Sequence, residues 1–160
     1  MHYQPKYLSF MRRLWIQVYK TMLLYFVVIL GGALISSINV INAMLIGFLP
    51  VCIILLTGAF YTNRYYLKQI NIDQEATKLV INKYDKDFKV YNIRTEDLTV
   101  RINQIFFSYI PYYKLQFYEG KNLIHKQFEC SQWTIKLLVD VYTEIKRMRG
   151  EQAHTNWIKI

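Results

Sequence analysis

Hydrophobic and polar positions divide the chain into two regimes. Between Thr21 and Tyr61 there is no Asp, Glu, Lys, Arg or His, and the only polar cluster of this run lies in its middle, at residues 36–42. One crossing of a bilayer needs ~20 apolar residues, so the run is too long for one crossing and long enough for two. We therefore predict a transmembrane helical hairpin, with spans at 21–35 and 44–61 joined by a short polar turn.

Charge predicts the orientation of this helical hairpin. Every acidic residue lies at Asp73 or later, whereas basic residues flank the apolar run on both sides: Lys6, Arg12, Arg13, Lys20, Arg64 and Lys68. Lys and Arg close to membrane-spanning segments remain on the cytoplasmic side. We expect a bacterial cytoplasmic (inner) membrane protein with both termini in the cytoplasm. The net charge of +9 partly reflects this flanking pattern.

The lead and the ends of the run carry residue types that are typical of a membrane interface. Residues 5–20 are amphipathic at helical spacing, which favours either an interfacial helix or the cytoplasmic end of a longer first span. A cleaved signal peptide covering 1–35 fits less well, because a second apolar span follows at once. The expected interface anchors are Arg12, Arg13, Trp15, Tyr19, Lys20, Tyr61, Arg64 and Tyr65.

A patch of small residues on the first span has two interpretations. Gly31, Gly32, Ala33 and Ser36 would let two helix backbones approach closely. The patch is either the seam between the two spans, or a face for self-association or for another membrane protein. No acid, base or histidine lies inside the spans, which argues against a transporter or a proton path.

The rest of the chain changes to a period of two and then to a helical period. Six segments are strand-like, at 65–72, 76–84, 87–93, 97–105, 112–119 and 123–129. A helix capped by Ser131 follows, with apolar positions three and four residues apart, and it ends at Gly150. We predict an α+β soluble domain, in which a small antiparallel sheet, curled or sandwiched, is capped by one C-terminal helix. The predicted divisions are a basic amphipathic lead (1–20), the helical hairpin (21–61), a cytoplasmic β domain (62–150) and a tail (151–160).

The segment 112–148, YYKLQFYEGKNLIHKQFECSQWTIKLLVDVYTEIKRM, resembles the final hairpin and capping helix of small bacterial membrane proteins with a pleckstrin-homology-like (PH-like) domain. The remainder resembles them in the order of its elements. The resemblance implies a PH-like barrel that serves as a binding or scaffolding module for proteins, peptides or lipid headgroups. This chain lacks the run of basic residues in one strand loop that would favour a phosphoinositide-type headgroup.

Residues with catalytic or metal-binding chemistry are scattered along the chain. Gly120 and Gly150 are the only glycines after residue 62, so a glycine-rich phosphate loop is not available. His125 and His154 have no partner at metal-ligand spacing, and a pair of His125 with Cys130 lacks a third orienting group. We expect a non-enzymatic protein with no metal and no cofactor. An enzyme acting on lipid stays open, since catalytic groups can assemble from distant positions.

One stretch, FFSYIPYY at 106–113, concentrates aromatic residues. One interpretation is core packing at a sheet edge with a proline-marked turn, because aromatics favour strands. The other is an exposed aromatic loop that contacts lipid, a partner or a nucleotide base, with nearby cations for an anionic group. The candidate partner or ligand surface is Arg101, Phe106, Phe107, Tyr109, Tyr112, Tyr113 and Lys114.

These observations predict a membrane-anchored interaction or scaffold protein, an accessory subunit of an inner-membrane complex. Its partners would be the lipid bilayer and either another membrane protein or a second copy of the chain, while the charge gives little support for nucleic acid. The alternative is a membrane-disrupting effector of the antiphage-defence type. In that case the cytoplasmic domain would bind a cyclic nucleotide and the oligomerised helical hairpins would breach the membrane.

Overall fold

The computed structural model describes residues 1–36, 39–106, 111–130 and 132–158. The chain forms two compact units. The helical unit is Phe10–Arg64, and the β unit combines Met1–Ser9 with Tyr65–Ile160. Each unit has its own buried apolar cluster, so the two are described separately.

Two long helices make up the helical unit. Helix α1 is Phe10–Ile35. Helix α2, Val40–Ala43, continues through a π-helical turn, Met44–Phe48, into α3, Leu49–Asn63. The first helix has 26 residues and the continuous second helix has 24, and both are long and apolar enough to cross a membrane. The prediction of two such helices is confirmed, and α1 extends well into the polar lead.

Side chains at two levels hold these helices together. Phe10 packs edge-on against Phe60, with ring centroids 5.5 Å apart. Further along, Gly47 faces Ile29 so closely that a Cβ at this glycine would lie 3.4 Å from the Ile29 Cδ1 atom. Such close approach is how helices associate where hydrophobicity supplies no driving force between them.

The polar end of the helical unit is hydrogen-bonded across the two helices. The Asn63 side-chain amide donates to the Gln17 side chain and to the Ala59 carbonyl, the latter at 2.8 Å. Thr62 Oγ1 also donates to Gln17 Oε1, at 3.3 Å. The Arg13 guanidinium donates to the Asn63 carbonyl at 3.5 Å, which satisfies one carbonyl at the end of α3.

The β unit contains seven strands and one helix. The strands are β1 (His2–Tyr3), β2 (Tyr65–Ile72), β3 (Ala76–Lys83), β4 (Lys86–Arg94), β5 (Leu98–Phe106), β6 (Pro111–Glu119) and β7 (Asn122–Phe128), and the helix is α4 (Ile135–Met148). Sheet A has the order β1-β2-β3-β4 and sheet B the order β5-β6-β7, with every pairing antiparallel. The predicted antiparallel domain with a C-terminal helix is confirmed.

The two sheets are not closed into the barrel that the resemblance to PH-like domains implied. Within the described residues, the ladder of sheet A ends at β4 and a separate ladder begins at β5. Helix α4 packs against β5 and β6, and its buried residues join one core cluster with both sheets. The apolar face of the helix therefore supplies contacts that a closed barrel would make between its own strands.

The helical hairpin is the connection between two neighbouring strands of sheet A. Strand β1 pairs with the far half of β2, with His2 opposite Asn71 and Tyr3 opposite Ile70. The chain then runs alongside β2, and Tyr7 packs edge-on against Tyr66 with centroids 6.1 Å apart. The segment before the first helix thus belongs to the β unit, and the chain leaves and re-enters sheet A at the same end, called here the hairpin end.

The core joins both sheets, α4 and part of the tail. Trp133, Tyr66 and Phe117 are among its largest fully buried side chains. In the tail, Ile158 is also buried in this core, and the Trp157 ring lies 6.3 Å from that of Tyr113. The described part of the tail therefore packs on the domain.

Helix α4 follows the predicted periodicity. Its buried positions include Leu138, Val141 and Ile145. Thr134 provides the N-cap by accepting from the Leu137 amide, whereas Ser131, the predicted cap, lies outside the described residues. The helix ends before Gly150, whose positive φ of 69° suits glycine because it has no Cβ.

Candidate functional site

The outer face of sheet B carries a group of polar and basic side chains. Successive residues of a strand point to opposite faces, and the residues of β5 and β6 that point inward, such as Ile102 and Leu115, are buried in the core. The alternate positions make up what we call the basic face: Arg101, Asn103, Lys114, Gln116, Tyr118 and Lys126. The period of two places these side chains on one face of each strand, and the pairing of the three strands brings them together.

Strand register brings the three basic residues of this face into neighbouring rows. Arg101 lies opposite Gln116, which lies opposite Lys126. In the next row, Lys114 lies opposite Asn103. Diagonal neighbours in a sheet are about 7–8 Å apart, within reach of long side chains. The two rows contain no acidic residue among these positions, so the face is suited to an anionic group or an acidic protein surface.

Local contacts join four members of the basic face in two pairs. The Arg101 guanidinium carbon lies 5.3 Å from the centre of the Tyr118 ring, a cation–π arrangement. The Asn103 amide donates to Gln116 Oε1. Beside the end of this face, Glu129 lies half-buried, and this burial raises the pKa of its carboxyl group. The surface therefore combines ordered cations, amides and one aromatic ring.

The structure separates the residues of the predicted ligand surface. Arg101 and Lys114 share the basic face, whereas Tyr113 points the other way and is buried in the core. Phe106 is the last residue of β5 and Tyr112 is the second residue of β6. Phe107 and Tyr109 lie outside the described residues. Of the two interpretations of the aromatic stretch, core packing is therefore the one that holds for Tyr113.

Four members of the basic face are absent from the predicted ligand surface. They lie within strands that the alternating pattern already identified: Asn103, Gln116, Tyr118 and Lys126. The hairpin loop at Gly120 pairs Glu119 with Asn122, so counting outward from it would place Gln116 opposite His125. A bulge between Phe117 and Tyr118 shifts that count by one, which only the pairing reveals.

The expected interface anchors differ in exposure. On α1, Trp15 and Tyr19 are exposed and stack with ring centroids 6.5 Å apart, and Lys20 lies over the Tyr19 ring. Arg12 is also exposed. Arg13, by contrast, is fully buried and contacts the end of α3.

At the end of α3 the anchors change from helix to strand. Tyr61 is exposed, and the Arg64 guanidinium lies 5.8 Å from the centre of its ring. Tyr65 is the first residue of β2 and belongs to the β unit. Only Arg64 separates the last residue of α3 from the first residue of β2.

The predicted small-residue patch is divided between two environments. Ala33 is buried, whereas Gly32 and Ser36 are exposed. A Cβ built at Gly31 or Gly32 would meet no atom within 4 Å. Within the helical unit, Gly47 rather than this pair makes the close helix approach.

Groups with catalytic or metal-binding chemistry remain apart in the described part of the chain. No cluster of three or more His, Cys, Asp and Glu residues that could hold a metal ion occurs there. His125 is buried against Phe117, with ring centroids 6.2 Å apart, and burial lowers its pKa to about 4 despite a hydrogen bond with Gln127. The Cys130 thiol is buried and accepts from the Gln127 amide at 3.6 Å.

Comparisons with models of protein families, with curated proteins and with solved structures find no match to this chain.

Proposed function

We propose that this chain is a non-enzymatic, membrane-anchored interaction protein that acts as an accessory subunit of an inner-membrane complex. The observation that carries the proposal is the exposed apolar surface of the helical unit. Ile35, Ile46 and Ile54 have 87%, 79% and 70% of their surface exposed, respectively, and similar residues surround them. Burying apolar surface is worth roughly 25 cal/mol per Å², so lipid is the solvent that this surface requires.

Two features support the orientation. Basic residues flank the apolar run on both sides and no acid precedes Asp73, which supports a cytoplasmic location for both flanks. In addition, β1 pairs with β2, so the chain on either side of the helical hairpin joins one sheet. An even number of crossings is required for both strands to meet on one side of a bilayer.

The cytoplasmic part is proposed to be a PH-like module. A four-stranded sheet, a three-stranded sheet and a C-terminal helix in this order support the assignment. Its partner surface is the basic face, and an acidic surface of a neighbouring membrane protein complements Arg101, Lys114 and Lys126.

Crosslinking in native membranes tests the partner. A photo-crosslinking residue placed at Lys126, on the basic face, is expected to capture one membrane protein in stoichiometric yield. The same residue at Lys121, in the β6–β7 turn, is the matched control and is expected to capture little. A chain that is recovered alone and monomeric from mild detergent, with no crosslink from position 126, would contradict the accessory-subunit role.

A second function is favoured by one observation. The basic face places the Arg101 cation over the Tyr118 ring beside amide side chains, a combination that suits phosphate and base recognition. In this alternative, a cyclic nucleotide bound there triggers oligomerised helical hairpins to breach the membrane. Calorimetry of the full chain in nanodiscs against a panel of cyclic oligonucleotides, with dye release from vesicles, distinguishes the two functions. Heat and release that disappear in Lys126→Glu would favour the effector, and silence across the panel removes it.

A further inference from the structure

The turn between β3 and β4 is a second surface with an unusual combination of side chains. Its members, called here the turn patch, are Tyr65, Lys83, Tyr84, Phe88, Lys89 and Tyr91. Phe88 is 46% exposed and Tyr84 is 38% exposed. Single exposed apolar side chains are common on protein surfaces, whereas a contiguous exposed patch marks an interaction site.

Lysines cover the aromatic rings of the turn patch. The Lys83 ammonium lies 5.5 Å from the centre of the Phe88 ring and 5.7 Å from that of Tyr65. The Lys89 ammonium lies 5.7 Å from the ring centres of both Phe88 and Tyr91. The rings of Tyr65 and Phe88 pack with centroids 5.5 Å apart, which makes the patch continuous.

The charge of this region is positive. Lys68, Lys83, Lys86 and Lys89 stand against two acids. Of these acids, Asp87 forms an ion pair with Lys68 at 3.0 Å, and Asp85 accepts a hydrogen bond from the Tyr7 hydroxyl at 2.7 Å. Lys83, Lys86 and Lys89 take no part in these two contacts, and Lys83 and Lys89 are the cations that lie over the aromatic rings.

Strand pairing places the turn patch at the hairpin end of sheet A. Tyr65 is the first residue of β2, two residues after the end of α3, and it pairs with Lys83 at the end of β3. On the other flank, Tyr7 reaches Asp85 in the turn and lies three residues before α1. Both connections to the helical unit therefore leave the sheet next to this turn.

We infer that the turn patch is a second membrane contact that docks on an anionic lipid surface. The inference rests on the proposed function, because it requires the helical hairpin to lie in a bilayer. Aromatic rings partition to the headgroup region, and each basic residue near an anionic leaflet contributes about 1 kcal/mol. A short tether on each side keeps the patch at high effective concentration near the leaflet, so two lysines and two exposed rings suffice.

Spin labels on the full chain in vesicles test this inference. The labelled positions are Phe88→Cys in the turn patch, where the apolar nitroxide ring takes the place of the phenyl ring, Lys121→Cys in the β6–β7 turn and Val28→Cys on the exposed face of α1. Each is made with Cys52 and Cys130 replaced by Ala. The vesicles contain phosphatidylcholine alone or with about 30% phosphatidylglycerol, an anionic surface. Collision with oxygen and with a water-soluble nickel complex measures the depth of each label.

The expected result is a label at 88 at headgroup depth in the anionic vesicles, with the label at 121 in water. Replacing Lys83 and Lys89 by Gln is expected to lower the docked population about fivefold for each lysine. The control pair Lys78→Gln and Lys121→Gln removes the same charge elsewhere and is expected to leave the label at 88 in place.

The label at 28 separates the two ways of failing. If it reports lipid while the label at 88 reports water, or the same depth with and without phosphatidylglycerol, the turn-patch inference is overturned and the membrane anchor stands. If the label at 28 reports water, the membrane anchor itself is overturned.

Discussion

The two ends of the β unit are each clamped by side chains that bind main-chain groups, and they differ in burial. At the hairpin end, the Trp133 indole donates to the Leu67 carbonyl at 2.7 Å, and Gln127 Oε1 accepts from the Leu67 amide at 2.8 Å. All three residues are fully buried. At the far end, the Arg149 guanidinium donates to the carbonyls of Glu96 and Leu98, at 2.8 and 2.5 Å.

This difference in burial indicates which of the two sets of hydrogen bonds contributes more to the stability of the β unit. In the described part of the chain, strand β1 pairs only with Ile70 and Asn71 of β2, and the Leu67 main-chain groups bind Gln127 and Trp133. Buried main-chain groups without a partner cost about 1–3 kcal/mol each, so the clamp at the hairpin end is expected to be expensive to remove. Arg149 has 21% of its side chain exposed, and water can replace its contacts.

Trp133→Ala is expected to have the largest effect. The substitution leaves a cavity in the core and an unpaired Leu67 carbonyl, which together should lower the free energy of unfolding by about 3–5 kcal/mol. Trp157→Ala is the matched control, because Trp157 is 46% exposed and its loss should cost far less. Urea titration of the full chain in nanodiscs, followed by hydrogen exchange in β2, measures both. Equal costs would contradict the assignment of the buried clamp.

The buried histidine near the same clamp is expected to make stability depend on pH. Burial lowers the pKa of His125 from 6.5 to about 4, so the folded state holds the neutral ring. The stabilisation is fully present above pH 6.5 and is lost as the pH falls from 6.5 towards 4, by at most about 3 kcal/mol. The free energy of unfolding measured across this range should flatten in His125→Phe. The control His154→Gln should keep the slope, and an unchanged slope in His125→Phe would refute the prediction.

Gln127→Leu removes the other half of the clamp while keeping most of its volume. The Leu67 amide then stays buried without an acceptor, which should cost about 1–3 kcal/mol. Faster hydrogen exchange at that amide is the specific readout, and Gln116→Leu on the neighbouring strand serves as the control for a lost amide side chain. An exchange rate at Leu67 that matches the unmodified chain would show that another group replaces the glutamine.

Arg149→Met tests the clamp at the far end and should cost least, about 0.5–1.5 kcal/mol, because the carbonyls of Glu96 and Leu98 regain water. Arg94→Met is the control, since its ion pairs with Glu96 and Asp97 lie on the surface and contribute about 0–1 kcal/mol. Thermal unfolding of the two variants measures the difference. A loss for Arg149→Met as large as that for Trp133→Ala would remove the contrast between the ends.

The helical unit, the strands and α4 could be read from the sequence because each depends on a local pattern. An uncharged run such as 21–61 has no stable position in water, and a period of two or 3.6 residues selects strand or helix whatever the partner. The assignment of Leu138, Val141 and Ile145 to the buried face of α4 rests on this periodicity and is confirmed. The closed barrel that the resemblance implied was a wrong prediction, because closure of a barrel depends on pairing between strands that are far apart in the sequence.

Contacts between residues that are far apart in the sequence are seen only in the folded chain. The pairing of β1 with β2 across the helical hairpin joins residues 69 positions apart, and no local period specifies it. In the same way, the Leu67 clamp, the basic face and the turn patch arise from register, and a bulge shifts register without leaving a mark in the polarity pattern. The elements and the solvent that each requires can be predicted from the order of residues, since both follow from side-chain chemistry and its repeat. Their arrangement followed from hydrogen bonds and packing between segments that are far apart along the chain.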